Sequence, residues 1–383
     1  MNQHVSLGRV VILGGGPAGL YLAILIKKRC PETEVTVYER NPRGSTFGWG
    51  VVFSGRTMQH LEAADPESYA VLKGIMRTWE NVDVVHRNET ISIWGNRFSG
   101  VARIGMLKVL QGRCEDLGVE LVFNKELKGL DELPSHDLLV AADGVNSLVR
   151  STCPDAFSPE LGGGKNFYIW YGTHHIFDGL TLTFRQDQHG VYAAHSYMFS
   201  EDTSTFIVEV EPETFEKAGF GAMSEPEARA HLEQVFAPDL CGHSLMSNAS
   251  RWIQFRVVKN QNWVDGKRVL VGDAAHTAHF SIGSGTKLAL EDCIALDRSL
   301  ATHSTLDAAL AHYESTRKPI IDDFQALSGT SRAWFEDLHP LMQMEPIELA
   351  YSAMTRSGRI DDTVLEGRDA DFVAAYRHWL ARA

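Results

Sequence analysis

The segment from Arg9 to Glu39 constrains the fold more than any other part of the chain. It opens with the apolar, β-branched run Arg9 to Leu13, continues through glycines into a stretch of helical periodicity from Pro17 to Lys28, and closes with the alternating run Glu34 to Tyr38. Alternation of apolar residues indicates strands, and a period of 3.6 residues indicates a helix. The segment is therefore predicted to form a βαβ unit.

The turn between the first strand and the helix carries the pattern G-x-G-x-x-G. In such a turn the first glycine permits a tight bend, the second lets a pyrophosphate approach the backbone, and the third allows close packing of helix on strand. An acidic residue at the end of the second strand accepts hydrogen bonds from ribose hydroxyls. A purely structural glycine turn is the disfavoured alternative, because strand, helix and acid are all in register. The predicted dinucleotide-binding residues are Gly14, Gly16, Pro17, Ala18, Gly19, Glu39 and Arg40.

Two later segments place an aspartate at the end of a predicted strand. One is Asp137 to Ala142, which leads into Asp143, and the other is Arg268 to Val271, which leads into Asp273. A carboxylate at a strand end can fix the hydroxyls of a sugar-like chain, and a helix N-terminus can stabilise negative charge. A glycine-rich turn and a predicted helix follow the second aspartate. Further candidate cofactor residues are Asp143, Asp273, Gly283, Gly285 and Thr286.

The pattern between Asn166 and Val210 differs, with short runs rich in Tyr, Phe, Thr and Val that predict antiparallel strands. The predicted fold class is α/β: a Rossmann-like dinucleotide-binding domain, an inserted, mainly antiparallel β substrate domain and a C-terminal helical segment. We expect the dinucleotide-binding domain at residues 1-78, 98-163 and 255-330, the substrate domain at 79-97 and 164-254, and the helical segment at 331-383.

Composition narrows the possible partners. No apolar run approaches the ~18 residues of a membrane span and no signal peptide precedes Arg9, so a soluble, cytoplasmic protein without a membrane partner is expected. A formal net charge of -13 disfavours nucleic acid, although local amides and arginines can still hold small anions. The five cysteines contain no C-x-x-C pair, and buried thiols are expected.

Two histidines have the spacing of a metal-binding pair. His276 and His279 form H-x-x-H, but no third ligand is evident and the pair lies inside the Gly-Asp motif, so we predict packing beside the cofactor and no metal. The sequence also contains no G-x-S-x-G, which disfavours a serine hydrolase.

The three ordered motifs resemble those of the group A flavoprotein monooxygenases with the fold of para-hydroxybenzoate hydroxylase, over about residues 8 to 330. The resemblance implies that the first motif holds the ADP half of FAD, that Asp143 lies near the pyrophosphate and that Asp273 binds the ribityl chain. Arg103, in Arg-x-x-x-Leu, resembles the family's FAD-contacting arginine. The chain departs from the family at Phe280, where proline is usual, and at Lys287, where asparagine is usual.

Four blocks are similar to those of the salicyloyl-CoA and aminobenzoyl-CoA hydroxylases. They are Phe47 to Ser54, Trp170 to Thr173, Ala194 to Tyr197 and Asp202 to Glu209. The block His279 to Gly283 is shared also with the tryptophan-derived pigment hydroxylase of violacein biosynthesis. The resemblance favours a pocket role over plain core packing for Trp49 and Phe53, while for His195 and Tyr197, on one strand face, the two roles are equally open. The candidate catalytic residues are His195, Tyr197, Trp49 and Phe280.

The resemblance implies ring hydroxylation with NAD(P)H as a transient co-substrate, since no second G-x-G-x-x-G is visible. Reduced FAD would react with molecular oxygen to give a hydroperoxide that attacks an electron-rich aromatic ring. The expected substrate is salicylyl-CoA or a related ortho-substituted benzoyl-CoA, hydroxylated para to its donor group. Hydroxylation of a tryptophan-derived or other free aromatic metabolite is the second hypothesis, and a non-catalytic binding module is the third. Arg43, Arg56 and Arg77 are candidate phosphate contacts, although each is more simply a solvated surface arginine.

Overall fold

The computed structural model describes residues 5–46 and 48–383. Its strands are β1 (Arg9–Leu13), β2 (Glu34–Tyr38), β3 (Gly50–Ser54), β4 (Arg77–Trp79), β5 (Val82–His86), β6 (Glu89–Ile93), β7 (Phe98–Ala102), β8 (Glu120–Val122), β9 (Leu138–Ala141), β10 (Pro159–Thr173), β11 (Leu180–Gln186), β12 (Val191–Met198), β13 (Ser204–Val210), β14 (Leu245–Met246), β15 (Ile253–Asn260), β16 (Val264–Asp265) and β17 (Arg268–Leu270). Its α-helices are α1 (Pro17–Arg29), α2 (Gly55–Ala64), α3 (Pro66–Ile75), α4 (Arg103–Asp116), α5 (Leu148–Thr152), α6 (Pro154–Phe157), α7 (Pro212–Ala218), α8 (Glu225–Val235), α9 (Ala237–Leu240), α10 (Gly285–Thr302), α11 (Leu306–Phe335), α12 (Pro346–Thr355), α13 (Asp362–Arg368) and α14 (Ala370–Leu380).

A six-stranded sheet, in the order β16-β17-β9-β1-β2-β8, carries the dinucleotide-binding motifs. Strands β17, β9, β1, β2 and β8 are parallel, so their carboxyl ends lie at one edge. Helix α1 is buried along most of its length between this sheet and the helices α4 and α10. Each fully buried leucine or isoleucine of α1 contributes about 2 kcal/mol to stability. The α/β fold class is confirmed.

A second, mainly antiparallel sheet has the order β14-β10-β13-β12-β11-β5-β6, with β15 paired to β10. One face packs on α7, α8 and α9 through a core that includes Phe206 and Phe236. The opposite face packs on the C-terminal helices through Phe184, Phe335 and Leu349. The residues of odd number in β12 and β13 point to this second face, which also borders the cavity described below.

A three-stranded sheet, β3-β7-β4, accompanies the two larger sheets. Its strand β7 leads directly into α4, and Arg103 donates its backbone N–H to the carbonyl of Trp49, which precedes β3. The domain boundaries given above remain a prediction.

The individual elements agree well with the predicted ones. The hairpin of β5 and β6 turns at Arg87 and Asn88, whose φ angles of 51° and 62° are left-handed. Strand β10 begins at Pro159, earlier than predicted, because its first half pairs with β15. The expectation of buried thiols was wrong for Cys241, which is exposed, and for Cys153, which is half-buried.

Candidate active site

One large cavity, of about 1180 Å³, extends from the carboxyl edge of the parallel sheet to the inner face of the second sheet. Its wall includes the ends of β1 and β9, the side chains of β10 and β12, and the segment that follows α12. Cavities for single drug-sized ligands span about 300–1,000 Å³. The cavity therefore has room for an extended cofactor together with part of a substrate.

The glycines of the turn after β1 have two different roles: some allow close backbone packing, and one leaves space for a ligand. Gly14 has φ of 102°, and a Cβ there would meet the Ala142 carbonyl oxygen at 2.2 Å, while a Cβ at Gly19 would meet the Gly14 oxygen at 2.0 Å. At Gly16, in contrast, nothing lies within 4 Å of the Cβ position, which opens into the cavity. Gly14 and Gly19 are thus required by the fold, and Gly16 leaves space for a ligand.

Glu39 lies beside this turn and already holds its backbone. One carboxylate oxygen accepts the Gly15 N–H at 2.9 Å, and the other accepts the backbone N–H of Asn41 at 2.8 Å and its side-chain amide at 2.7 Å. Glu39, Arg40, Pro17 and the nearby lysines Lys125 and Lys128 line one end of the cavity. A ribose hydroxyl at this end would meet a carboxylate whose orientation is already fixed.

Asp273 and Arg103 carry charge inside the cavity without hydrogen-bond partners among the described residues. Asp273 is exposed to the cavity although protein surrounds it, and burial raises its pKa against the opposing positive charge of Arg103. Burial likewise lowers the pKa of Arg103. Buried charges without partners are costly, so this pair indicates a polar ligand that supplies the missing bonds.

Asp143 has a hydrogen-bond partner for only one of its two carboxylate oxygens among the described residues. One of its oxygens accepts the Leu148 N–H at 2.7 Å, while the other is buried and has no partner in the described part of the chain. Burial raises the pKa of Asp143, opposed by hydrogen bonds from Ser147 and from backbone N–H groups. Arg150 ties this loop to the Gly-Asp turn, because it donates to the Ala274 carbonyl at 2.8 Å and to the Val145 carbonyl.

The turn between Asp273 and α10 presents a second helix N-terminus. Gly283 has φ of 58°, Gly285 has nothing within 4 Å of its Cβ position, and Thr286 also lines the cavity. Neither α10 nor α1 has a side-chain cap on its N-terminal amides, and both begin at the cavity wall. Uncapped helix N-termini favour negative charge. The set of groups fits FAD, which brings a pyrophosphate, a chain of hydroxyls and a flavin ring that becomes anionic on reduction.

His195, Tyr197 and Phe280 all line the cavity on the side of the second sheet, with Tyr168 and Trp170 beside them. His195 meets Phe280 edge to face, with ring centroids 5.3 Å apart. Tyr197 donates its hydroxyl to the Gly50 carbonyl at 2.9 Å, and burial raises its pKa, so its hydroxyl is already engaged in a structural bond. These side chains form an aromatic wall of the size of a ring substrate.

Trp49 lies elsewhere. Its indole covers Gly172, where a Cβ would come within 2.7 Å of the ring, and packs near Phe199 with centroids 6.4 Å apart. It is absent from the described residues that line the cavity, so its observed contacts are packing contacts, and a pocket role for Trp49 stays a prediction. Phe47, which opens the same sequence block, lies outside the described residues.

The two histidines of the H-x-x-H pattern have separate partners. His276 bonds to Asp292 at 2.7 Å and stacks on Trp263, with centroids 5.2 Å apart, whereas His279 bonds to the Ser281 hydroxyl at 2.9 Å. A group with metal-ligand chemistry, Asp187, His189 and His231, lies near the turn between β11 and β12. Its carboxylate already accepts backbone N–H groups of that turn.

Sequence reasoning missed Glu209 as a site residue, although it lies within one of the quoted blocks. The signal was a glutamate inside the otherwise apolar strand β13. Its side chain is fully buried and bonds to His195 at 3.1 Å. The segment after α12 was also missed, and it lines the cavity with Met354, Arg356 and Arg359.

Comparison with known proteins agrees with this geometry. A family model described as FAD binding domain matches residues 99–327. The structure of 2-methyl-3-hydroxypyridine-5-carboxylic acid oxygenase superposes with a TM-score of 0.71 at 20% identity, over 94% of this chain and 97% of that one, which shows the shared fold. The chain belongs to the FAD-dependent aromatic monooxygenases of this fold, and is an enzyme that binds FAD and uses NAD(P)H as co-substrate.

Within the family, two relatives from bacteria are similar over most of the chain. The Salicyloyl-CoA 5-hydroxylase of a Streptomyces species is 38% identical over 98% of this chain and 74% of its own length. The Protodeoxyviolaceinate monooxygenase of Chromobacterium violaceum is 35% identical over 90% of this chain and 93% of its own. In the described part of the chain, no helix is both long and apolar enough to cross a membrane.

Proposed function

We propose that the enzyme hydroxylates an aromatic ring carried as a thioester, namely salicylyl-CoA or a related ortho-substituted benzoyl-CoA, at the carbon para to the donor group. The 38% identity to a salicyloyl-CoA hydroxylase over nearly the whole chain supports this substrate class. The observation that carries the proposal is a buried histidine–carboxylate pair, His195 and Glu209, on the aromatic wall of the cavity.

The pair has the arrangement of a general base. Glu209 receives the His195 Nε2 hydrogen bond at 3.1 Å and the Asn166 amide at 3.0 Å, and Asn166 is itself fixed by a bond to the Phe335 carbonyl at 2.6 Å. Burial alone would raise the pKa of Glu209, but His195, His279 and Asn166 together lower it. An ionised Glu209 holds the proton of His195 on Nε2, which leaves Nδ1 to accept a proton.

The same wall favours a thioester over a free acid. Arg356 reaches this wall through Phe335, but its guanidinium already donates to the Ser331 hydroxyl at 3.0 Å, the Ser281 carbonyl at 2.6 Å and the Ala353 carbonyl. A free carboxylate would therefore find three of the five N–H donors of Arg356 already used on neutral acceptors. A neutral thioester carbonyl needs no such counter-charge.

When bound and reduced by NAD(P)H, FAD would supply the electrophilic oxygen for hydroxylation of the ring. His195 accepts the proton of the ortho donor through Nδ1, which raises the electron density at the para carbon. Phe280, Tyr168 and Trp170 hold the ring and exclude water. The chain supplies orientation and a base, and the oxygen chemistry is that of the cofactor.

We propose that FAD lies with its pyrophosphate at Gly14, Gly16 and Gly19, its adenosine ribose at Glu39 and its ribityl chain at Asp273 and Arg103. The support is that these residues surround one cavity with uncapped helix N-termini and unpartnered charges. A cytoplasmic location is proposed as well, since all five cysteines are free.

The substrate is tested by NAD(P)H- and oxygen-dependent turnover of salicylyl-CoA, aminobenzoyl-CoA, free salicylate and a tryptophan-derived indole. The expected result is a higher kcat/KM for a thioester, with a new hydroxyl para to the donor. An equal or higher kcat/KM for free salicylate or the indole contradicts the proposal. The second candidate, hydroxylation of a tryptophan-derived aromatic, then replaces it, as favoured by similarity to the protodeoxyviolaceinate enzyme over 93% of that protein's length.

The base is tested with Glu209→Gln, which keeps the shape and removes the charge. We expect kcat to fall by roughly 10²- to 10⁴-fold at neutral pH, with partial recovery at high pH where the phenol ionises without help. The matched control is Glu211→Gln, two residues further along the chain. Glu211 is half-buried, does not line the cavity, and accepts a 2.8 Å hydrogen bond from the Leu338 N–H. A Glu209→Gln enzyme with an unchanged pH profile would rule out the base.

A further inference from the structure

The charge of the cavity is opposite to that of the chain. The whole protein has a formal net charge of -13, yet the cavity wall contains seven arginines and three lysines against four acidic residues. These cations are Arg40, Arg56, Arg97, Arg103, Arg356, Arg359, Arg368, Lys125, Lys128 and Lys287. Among the described residues, none of the seven arginines forms an ion pair with a carboxylate. Arginines left unpaired in one cavity indicate an anionic ligand.

Four of these arginines are exposed at the cavity wall and come from neighbouring segments, and we call them the arginine outlet: Arg56, Arg97, Arg359 and Arg368. The carbonyl of Arg97 accepts the Gly55 N–H at 3.4 Å, which places Arg97 beside the start of α2 and Arg56. Arg368 donates to the Asn96 side chain at 2.7 Å, next to Arg97. The outlet is thus built from the start of α2, the turn before β7 and the segment from α12 to α13.

Lys287 connects the outlet to the interior of the cavity. Its Nζ lies 4.4 Å from the Phe324 ring centroid, and Arg359 lies over the same ring at 5.1 Å. Burial lowers the pKa of Lys287, and the charges of Arg359 and Arg56 lower it further against the attraction of Glu291. Lys287 is only 8% exposed and donates no hydrogen bond to any described residue; its carboxylate partner is Glu291, with Nζ and Oε1 4.0 Å apart, so the ammonium can still accept a ligand from the cavity.

The three candidate phosphate-contacting arginines of the sequence analysis, Arg43, Arg56 and Arg77, have different environments in the structure. Arg43 is bound to Glu115 by two bonds of 2.6 and 2.8 Å, and Arg77 is paired with Glu201, so both are satisfied on the surface. Arg56 has no such partner among the described residues and faces the cavity. It lies in the first turn of α2, whose N-terminal amides also lack a side-chain cap.

We propose that the arginine outlet, with Lys287, binds the phosphates of the nucleotide tail of the substrate thioester. This inference rests on the proposed function. Planar guanidinium groups bind phosphate oxygens through paired hydrogen bonds, and a helix N-terminus adds backbone donors. Binding energy gained on the tail then holds a small ring in place on the aromatic wall, where it makes few polar contacts of its own. The C-terminal segment, which supplies Arg359 and Arg368, becomes a substrate-recognition element.

The test compares three substrates on the FAD-loaded enzyme: salicylyl-CoA, its 3′-dephospho form and the salicylyl thioester of N-acetylcysteamine, which has no phosphate. In Arg56→Ala and in the double variant Arg359→Ala/Arg368→Ala we expect KM for salicylyl-CoA to rise at least about tenfold, and KM for the N-acetylcysteamine thioester to change less than about twofold. Arg43→Ala is the matched control, an exposed arginine outside the cavity, and should leave all three KM values unchanged.

Two further measurements distinguish the possible failures. The first is the affinity for CoA itself, measured by calorimetry, which should be lower in the outlet variants than in the wild-type enzyme. If this holds but the enzyme hydroxylates no salicylyl thioester, only the proposed function fails. If the wild-type enzyme uses the thioesters with and without a nucleotide tail equally well, the outlet proposal fails and the proposed function stands. If the variants instead raise KM for NADH or NADPH alone, the outlet serves the phosphates of that dinucleotide and our proposal is overturned.

Discussion

The two ends of the cavity are built from different parts of the polypeptide. Where β1, β2, β9 and β17 end, the cavity is formed by backbone turns, with the Cβ positions of Gly16 and Gly285 left open, and by side chains that directly follow these strands. At the second sheet and the arginine outlet they are side chains from distant segments, such as His195 on β12 and Arg359 after α12. The first end is defined by how the chain turns, and the second by which side chains the fold brings together.

This difference determines how each end responds to substitution. A Cβ at Gly14 or Gly19 meets backbone atoms, so a change there damages the fold itself. Replacing His195 or Arg359 removes one functional group and leaves the backbone path in place. Substitution of Gly14 or Gly19 should therefore lower stability and FAD binding together, whereas substitutions at the side-chain end should each remove one function.

The largest effect is expected at Gly16. Because its Cβ position faces open cavity, Gly16→Val should leave the fold of the FAD-free protein intact and weaken FAD binding by roughly a hundredfold or more, since the side chain occupies the phosphate site. FAD titration by fluorescence and thermal unfolding of the FAD-free protein measure the two effects. Gly112→Val, at an equally open position on α4, is the control. Undiminished FAD affinity in a folded Gly16→Val protein would refute a pyrophosphate at this turn.

The next effect contrasts two aspartates near the backbone end, Asp292, which is buried, and Asp273, which faces the cavity. Asp292 bonds to His276 at 2.7 Å, to Arg317 at 2.7 Å and to the Gly272 N–H at 3.0 Å, whereas Asp273 has no partner among the described residues. Asp292→Asn should lower the free energy of unfolding by about 3–5 kcal/mol, because it breaks the buried ion pair with Arg317 and leaves that guanidinium only its longer contact with Glu291 at 3.3 Å.

Asp273→Asn should instead leave the melting temperature of the FAD-free protein nearly unchanged, because the Asp273 side chain faces the open cavity and bonds to no described residue. It should also weaken FAD binding. Urea unfolding and FAD titration of both variants provide the comparison. A loss of stability in Asp273→Asn equal to that in Asp292→Asn would mean that Asp273 has a structural role and is not kept for a ligand.

A smaller, pH-dependent effect is expected at the side-chain end. Burial lowers the pKa of His279 from 6.5 to about 4, opposed by Glu209 and assisted by the charges of His195, Arg332 and Arg356. Between these two pH values the unfolded chain binds more protons, so the free energy of unfolding should fall as pH decreases from 6.5 to 4, by up to about 3 kcal/mol. The pKa of Glu209 is also lowered, so protonation of Glu209 in more acidic solution should decrease the free energy of unfolding further.

His279→Gln should reduce this dependence, because glutamine can keep a bond to Ser281 and does not titrate. Urea unfolding at several pH values between 4.5 and 7 measures the slope. His174→Gln, which changes an exposed histidine, is the control and should leave the slope as it is. An unchanged slope in His279→Gln would show that other groups cause the acid sensitivity.

The sequence predicted the backbone end well because each of its features is local. Gly14, Glu39, Asp143 and Asp273 each come shortly after a strand, and parallel strands bring their carboxyl ends to one edge, so the convergence of the four could be inferred without coordinates. Their roles as FAD contacts remain a proposal, but their common location is a finding.

The side-chain end was predicted only in part, since it depends on tertiary packing. Period-two alternation correctly placed His195 and Tyr197 on one face of β12. The same reasoning could not show that Trp49 covers Gly172 instead of facing the cavity. Charges at Arg359 and Arg368 have the appearance of a solvated helix surface in the sequence, and only the docking of the C-terminal helices on the second sheet brings them to the cavity.

The bonds of Arg356 to Ser281 and Ser331 attach the C-terminal segment to the turn beside the cofactor cavity. This segment lies almost wholly after the region that matches the FAD-binding family, which ends at residue 327. If the arginine outlet binds the substrate tail as proposed, substitutions in this segment should alter substrate preference without changing the FAD-binding turns. A laboratory search for altered specificity should accordingly diversify residues 354–368 first and leave the glycine turns untouched.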